Sequence, residues 1–132
     1  MSSQIASRIT DGIRVEVRTA YVEDESSPKQ AYYVFMYQVA ITNESDAEVQ
    51  LLHRHWDIVD GLGQKRQVEG PGVVGQQPVL ASGDCHQYVS GCHFATAVGM
   101  MTGQYLMQRT SDGHQFWVDI PAFTLQIPYL DN

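Results

Sequence analysis

The chain has 132 residues, 43 % of them hydrophobic and 17 % charged, so it has the length of one domain, enough apolar content for a core and too little charge to stay disordered. Fifteen acidic residues against eight basic ones leave a net charge of -7, which excludes a general nucleic-acid surface built on phosphate neutralisation. No apolar run approaches the roughly 18–20 residues that a membrane-spanning helix needs.

Val occurs 14 times, and Ile, Thr and Tyr occur seven times each. Beta-branched and aromatic residues fit a pleated, half-buried surface, so this balance favours strands. The first ten residues lack a basic segment followed by an apolar one, and no signal peptide is expected. Cys85 and Cys92 are too few for a disulfide framework and read as reduced thiols of a cytoplasmic protein.

Ile13, Val15, Val17, Thr19 and Tyr21 alternate with charged residues, which predicts a strand over 13–22. Residues 23–30 are polar, contain Pro28 and read as a loop. In 31–42 both alternating sets are apolar: Tyr33, Phe35, Tyr37, Val39 and Ile41 on one face, Tyr32, Val34 and Met36 on the other. That pattern predicts a central strand covered on both sides. A third strand is expected over 49–59, with Leu52, Arg54, Trp56 and Ile58 on one face and Leu51, His53, His55 and Asp57 on the other. Asp60-Gly61-Leu62-Gly63 closes a hairpin, and residues 64–68 lead into a glycine-rich loop.

Short strands are then expected near 77–80, 85–90 and 100–109, with 91–99 irregular. A last strand over 114–120 is broken by Pro121, and Phe123, Leu125 and Ile127 continue its alternation. Seven or eight strands, short turns and no helical period predict an antiparallel β-sandwich or barrel, and a sandwich suits the length.

Gly70, Gly72 and Gly75 spell the dinucleotide fingerprint G-x-G-x-x-G. That fingerprint must open a helix, whereas Pro78 follows within three residues and leaves no room for one. Two readings remain: glycines that let a loop cross the sandwich edge, or a nest of backbone amides that cradles phosphate, aided by Lys65 and Arg66. Arg54 shares a strand face with Trp56. It either packs its stem and caps a rim carbonyl or faces a ligand.

His53 and His55 project from one strand face, near enough to share a metal, and Asp57 extends that face. Cys85-His86 and Cys92-His93 add four further donor atoms. These spacings match no standard metal motif, and neither a metal nor a cofactor is expected. Adjacent Cys92 and His93 point oppositely in a strand, which argues against a nucleophilic dyad. No catalytic constellation stands out, so the chain is expected not to be an enzyme.

The run Leu52-His53-Arg54-His55-Trp56, the stretch Val68 to Leu80, the segment Tyr88 to Cys92, Gly99-Met100-Met101-x-Gly103-x-Tyr105 and the ending Ile120 to Leu125 together resemble the ApaG (also called CorD) family. The resemblance covers nearly the whole chain and is carried by several segments in family order. It implies a single domain over 1–132 with a fibronectin type III-like (immunoglobulin-like) antiparallel β-sandwich of seven to eight strands. It also implies a small bacterial protein whose gene often neighbours one for a diadenosine tetraphosphate hydrolase. Similar eukaryotic domains look like protein-interaction modules. The family's glycine motif falls on Gly70, Gly72 and Gly75, while His53 and Cys85 are less typical of its pattern.

The resulting expectation is a noncatalytic binding module. It would recognise a protein partner, or a phosphorylated small molecule such as a nucleotide or pyrophosphate, through Gly70–Gly75 with Lys65, Arg66 and Arg54. The alternatives are an accessory protein or enzyme of dinucleoside polyphosphate metabolism and a protein linked to cobalt or magnesium resistance. No nucleic-acid or membrane contact is expected, and exposed edge strands leave a homodimer open.

Overall fold

The computed structural model describes residues 5–128; residues 1–4 and 129–132, the two ends of the expected domain, lie outside that range. The described residues form nine strands in two antiparallel sheets. In the first sheet β1 (Ile5–Thr10), β2 (Ile13–Tyr21), β3 (Tyr33–Asn43) and β7 (Cys85–Phe94) lie in the order β1-β2-β3-β7. In the second, β5 (Lys65–Pro71), β4 (Val49–Asp60), β8 (Val98–Arg109) and β9 (Gln115–Gln126) lie in the order β5-β4-β8-β9. The two-residue β6 (Val79–Leu80) pairs with one end of β4. Setting β1 and β6 aside leaves three strands over four, the arrangement of a fibronectin type III-like sandwich.

The expected strand count fell short at β1 and β5. Both are edge strands with little buried surface: Ile5 and Ile9 face solvent, and β5 is exposed over most of its length. A strand with no buried face carries no period-2 signal in its sequence. The central strand β3 pairs on both sides as expected. Only its Phe35, Tyr37, Val39 and Ile41 face is buried, however, while Tyr32 and Met36 of the other face are exposed.

Two bulges decide which residues reach the core. In the β4–β8 ladder Leu51 pairs with Met107 and His53 with Leu106, so Leu52 is an extra residue. The extra residue reverses the alternation. Val49 and Leu51 point inward before it, and Trp56 and Ile58 point inward after it. Leu51 therefore does not share the face of His53, His55 and Asp57 that strict alternation assigned to it. In the β8–β9 ladder Met101 pairs with Phe123 and Gly103 with Ile120, which places Pro121 in the second bulge. Proline is tolerated there because a bulge does not need its missing N–H, so β9 continues through Pro121 instead of breaking.

The Asp60–Gln64 hairpin forms as expected, but its positive φ lies at Gly63 (83°) rather than at Gly61. Asp60 Oδ1 accepts the N–H groups of Leu62 and Gln64, each at 2.9 Å. Buried Asn43 holds the opposite end of the sandwich. Its Nδ2 donates to the carbonyls of Ala47 (2.8 Å) and Leu80 (3.0 Å), and its Oδ1 accepts from the Ser45 amide.

Trp56 is the centre of the core. It meets Tyr37, Phe123 and Tyr105 edge-on, with ring centroids 5.5, 5.9 and 6.4 Å away. Gly103 opposite it has no room for a side chain, because a Cβ there would lie 3.0 Å from the indole and 2.3 Å from the His55 carbonyl. Trp56→Ala is expected to lower the unfolding free energy by about 3–5 kcal/mol, the range for emptying a large aromatic site. Urea denaturation measures this loss.

Candidate functional site

The glycine loop is a small hairpin strapped to the end of β4. Val73 and Gln76 exchange backbone hydrogen bonds of 2.8 and 3.0 Å. Val74 (φ 47°) and Gly75 (φ 76°) between them both take left-handed conformations, as a two-residue hairpin turn with two positive φ angles requires. The Gly72 amide donates to the Leu52 carbonyl at 2.9 Å, and the Gln77 side-chain amide donates to the same oxygen at 2.9 Å. The extra residue of the β4 bulge is thus the loop's anchor. Gly72 has a φ of 63°, and a Cβ on it would lie 2.1 Å from the Gln76 carbonyl oxygen.

Arg54 lies beneath this loop. Its Nη1 donates to the carbonyls of Pro71 and Gly72, both at 3.1 Å. Gly70 has no side chain where the guanidinium passes; a Cβ there would sit 2.9 Å from Nη1. Gly70, Gly72, Gly75 and Arg54 are therefore gathered in one place. The arginine caps carbonyl oxygens, and the Gly72, Val73 and Gln76 amides donate within the chain.

Lys65 and Arg66 are not part of this assembly. They begin β5 opposite Val59 and Ile58, whereas Gly70 lies near its other end, opposite Arg54. Five steps along the strand, at about 3.3 Å each, separate Lys65 from Gly70. Arg66 instead turns to the other sheet: its guanidinium donates to the His93 carbonyl at 3.0 Å and lies 5.8 Å from the centre of the Phe94 ring. Lys65, Arg66, Ile58, Asp60, His93 and Phe94 border a depression of about 270 Å³ between the β5 and β7 edges.

His53 and His55 do share the outer face of the second sheet, with Asp57. Their near neighbours are carboxylates from two strands. His55 Nδ1 is 2.8 Å from Glu69 Oε1, His55 Nε2 is 3.1 Å from Asp57 Oδ2, and His53 Nε2 is 4.0 Å from Glu69. Gln67 donates to Asp57 at 2.9 Å and extends the chain of contacts. Among the described residues, no group of three or more His, Cys, Asp and Glu side chains has the geometry to hold a metal ion. The Glu69 hydrogen bond, with Asp57 assisting, raises the His55 pKa above its ordinary 6.5 against a smaller opposing effect of burial. Glu69 was not singled out in the sequence, because only the β4–β5 register sets it beside His55.

A set of tyrosines for which the sequence suggested no role as a group lies between the sheets. The hydroxyls of Tyr88 on β7 and Tyr105 on β8 bond to each other across the sandwich. Tyr37 lies nearby, and burial raises the pKa of all three phenols while Arg54 opposes it. Cys92 faces the same interior and its thiol is pushed up to about 11 by burial. His93 points the other way and packs on Tyr32 with ring centroids 5.2 Å apart. Cys85 is exposed, and neither cysteine is in a disulfide.

The fold and loop define a class of β-sandwich in which a glycine hairpin covers an inward-reaching arginine. The family model described as the ApaG domain matches residues 23–109, two thirds of the chain and all of that loop. Protein ApaG of Mesorhizobium japonicum is 50% identical over 120 residues, covering 91% of this chain and 92% of that protein. Protein ApaG of a Methylobacterium species is 50% identical over 121 residues, covering 92% of each. The crystal structure of the ApaA protein from Bordetella pertussis has a TM-score of 0.85 and 43% identity, covering 88% of this chain and 94% of that one. The chain belongs to the ApaG family.

Two stability predictions come from the loop. Val74→Asn is expected to stabilise by about 1 kcal/mol, since a β-branched residue is poorly suited to a left-handed turn that asparagine accepts. Gly72→Ala is expected to destabilise by about 2–3 kcal/mol through steric conflict and backbone strain. Thermal unfolding of the two variants reads both. For His55, the raised folded pKa sets the sign: its stabilisation is complete below about pH 6.5 and is lost as pH rises through the folded value. Glu69→Gln is expected to lower the His55 midpoint in an NMR titration and to flatten this part of the dependence of urea stability on pH.

Proposed function

We propose that this ApaG-family chain is a noncatalytic binding module whose ligand is another protein. The observation that carries the reading is the contrast between its closed polar groups and one open strand edge. Arg54, the loop amides and the interior tyrosines are occupied by partners within the fold. Strand β7 is hydrogen-bonded to β3 on one side only and bears no charged residue over its ten positions. An unpaired edge of this kind is a ready template for another chain.

Recognition of a phosphorylated small molecule by Gly70–Gly75 is the less favoured version of the same module. A phosphate cradle needs several free convergent amides, and three of this loop's amides already donate to carbonyls. Titration of the ¹⁵N-labelled protein with inorganic pyrophosphate is expected to leave the Val74 and Gly75 amide signals unmoved at millimolar ligand. Incubation with dinucleoside polyphosphates is expected to give no products by chromatography. Turnover that disappears in an Arg54→Ala variant would replace the module with an enzyme of polyphosphate metabolism.

A further inference from the structure

The sandwich has four strand edges, and three of them carry devices that discourage pairing. β1 has only six residues, and its Arg8 forms an ion pair of 2.9 Å with Asp119 on β9. β9 contains Pro121 and a bulge, and its Asp119 amide donates to Thr10 Oγ1 of β1 at 3.2 Å. β5 carries Lys65, Arg66, Glu69 and Pro71. Short edges, charges, prolines and bulges are the means by which natural sheets blunt their borders. The fourth edge, Cys85-His-Gln-Tyr-Val-Ser-Gly-Cys-His-Phe94, has none of them.

Hydrogen bonds on β3 fix which groups of this edge are free. The Val34 amide donates to Ser26 Oγ and its carbonyl accepts from Val22, so both point away from β7. Val34 and His93 are thus a non-hydrogen-bonded pair, and His93 directs its own amide and carbonyl outward. Alternation extends this to Gly91, Val89, Gln87 and Cys85. At the other end the Asn43 amide donates to the Asp84 carbonyl, in agreement with that phase. Arg66 occupies the His93 carbonyl, so the open segment runs from Cys85 to Gly91 and ends at a cation.

Chemistry around the segment specifies its occupant. Val89 is 49% exposed beside the outer face on which Met36 and Tyr32 also lie. Lys65 and Arg66 border the depression at the His93 end, and neither is in an ion pair with a carboxylate among the described residues. Arg8, Arg14 and Arg109 each have a carboxylate partner; Arg18, Lys29 and Arg54 have none among the described residues either, but of the unpaired cations only Lys65 and Arg66 border the depression.

We propose that β7 is a β-augmentation site for an extended segment of a partner protein, added antiparallel along Cys85–Gly91. Its apolar side chains lie beside Val89, and an acidic side chain at its N-terminal end meets Arg66 and Lys65. The antiparallel direction puts the segment's N-terminal end beside His93, where the two cations are. This inference rests on the binding-module reading and names the surface and partner chemistry of that module.

Selection of phage-displayed random dodecapeptides on the immobilised full chain tests it. Enriched peptides are expected to share alternating apolar positions preceded by Asp or Glu. Their binding should weaken at least tenfold in Val89→Pro, which removes an outward amide without touching the β3 ladder, and similarly in Arg66→Glu. Independently of either variant's folding, the enriched peptide should slow hydrogen exchange at the Gln87, Val89 and Gly91 amides of the unaltered protein.

Three results would overturn the proposal. One is no enrichment. Another is a peptide that leaves those amides unprotected, which sinks the edge site while sparing a module that binds elsewhere. The third is protection of the same amides, with dimer formation in sedimentation, in the absence of peptide; the occupant is then a second copy of this chain. Polyphosphate turnover dependent on Arg54, with no peptide bound, would instead remove the module reading itself.

Discussion

A single extra residue in β4, Leu52, is the constraint from which the rest of the site descends. Without it, strict alternation would place either Val49 and Leu51 or Trp56 and Ile58 in the core, but not all four. With it, both apolar pairs point inward, Arg54 reaches the loop and the histidines stay outside. The bulge also turns the Leu52 carbonyl toward the loop, where it accepts from Gly72 and Gln77. Core packing and loop placement are therefore one event, because the residue that corrects the face of the strand also supplies the anchor. Bulges re-aim side chains at functional places in many sheets, and here the re-aimed side chain is Arg54.

The glycines follow from that arrangement. Gly70 gives passage to the guanidinium, Gly72 permits close approach of the Gln76 carbonyl, and Gly75 supplies a left-handed φ. The same three letters open the helix of a dinucleotide-binding fold, but there the amides point at a ligand. In this chain the Gly72 amide and its neighbours point at carbonyls. The motif's chemistry is set by whether those amides are free, which the letters alone do not encode. A half-buried cation also needs acceptors to offset the part of its hydration that it loses, and the Pro71 and Gly72 carbonyls provide them.

The two bulges explain how much of the fold could be read in advance. Around Pro121 the apolar positions change phase visibly, from Phe116, Val118 and Ile120 to Phe123, Leu125 and Ile127. The phase change was legible, although it marks a bulge within one strand and not a break between two. Around Leu52 the change is hidden, because the extra residue is itself apolar and makes the wrong face look continuous. The strands with a buried face, the sandwich and the ApaG family were legible for the same reason: each rests on burial or on several motifs in order. Lys65 and Arg66 looked close to Gly70 along the sequence, but an extended strand carries them away from it. Glu69, Tyr88 and Tyr105 gain their partners only through register and sheet-to-sheet packing, which no local pattern displays.

Charge distribution supplies the last step. A net charge of -7 protects a chain from association in general, yet protection of a sheet border is local, since exposed charges are screened within about 8–10 Å at physiological salt. β1, β5 and β9 have it at their own borders, through Arg8, Lys65, Arg66, Glu69 and Pro121. β7 does not, and at its centre it carries an exposed valine, Val89, at a position where a lysine would reach solvent. Tyr88, which β7 carries inward, bonds to Tyr105 and ties the strand to the other sheet. A rigid strand loses little conformational freedom when another chain pairs with it. A bond across the sandwich from within and an uncharged border from without therefore act together, and β7 is the edge that carries the fewest of the devices by which sheets oppose pairing.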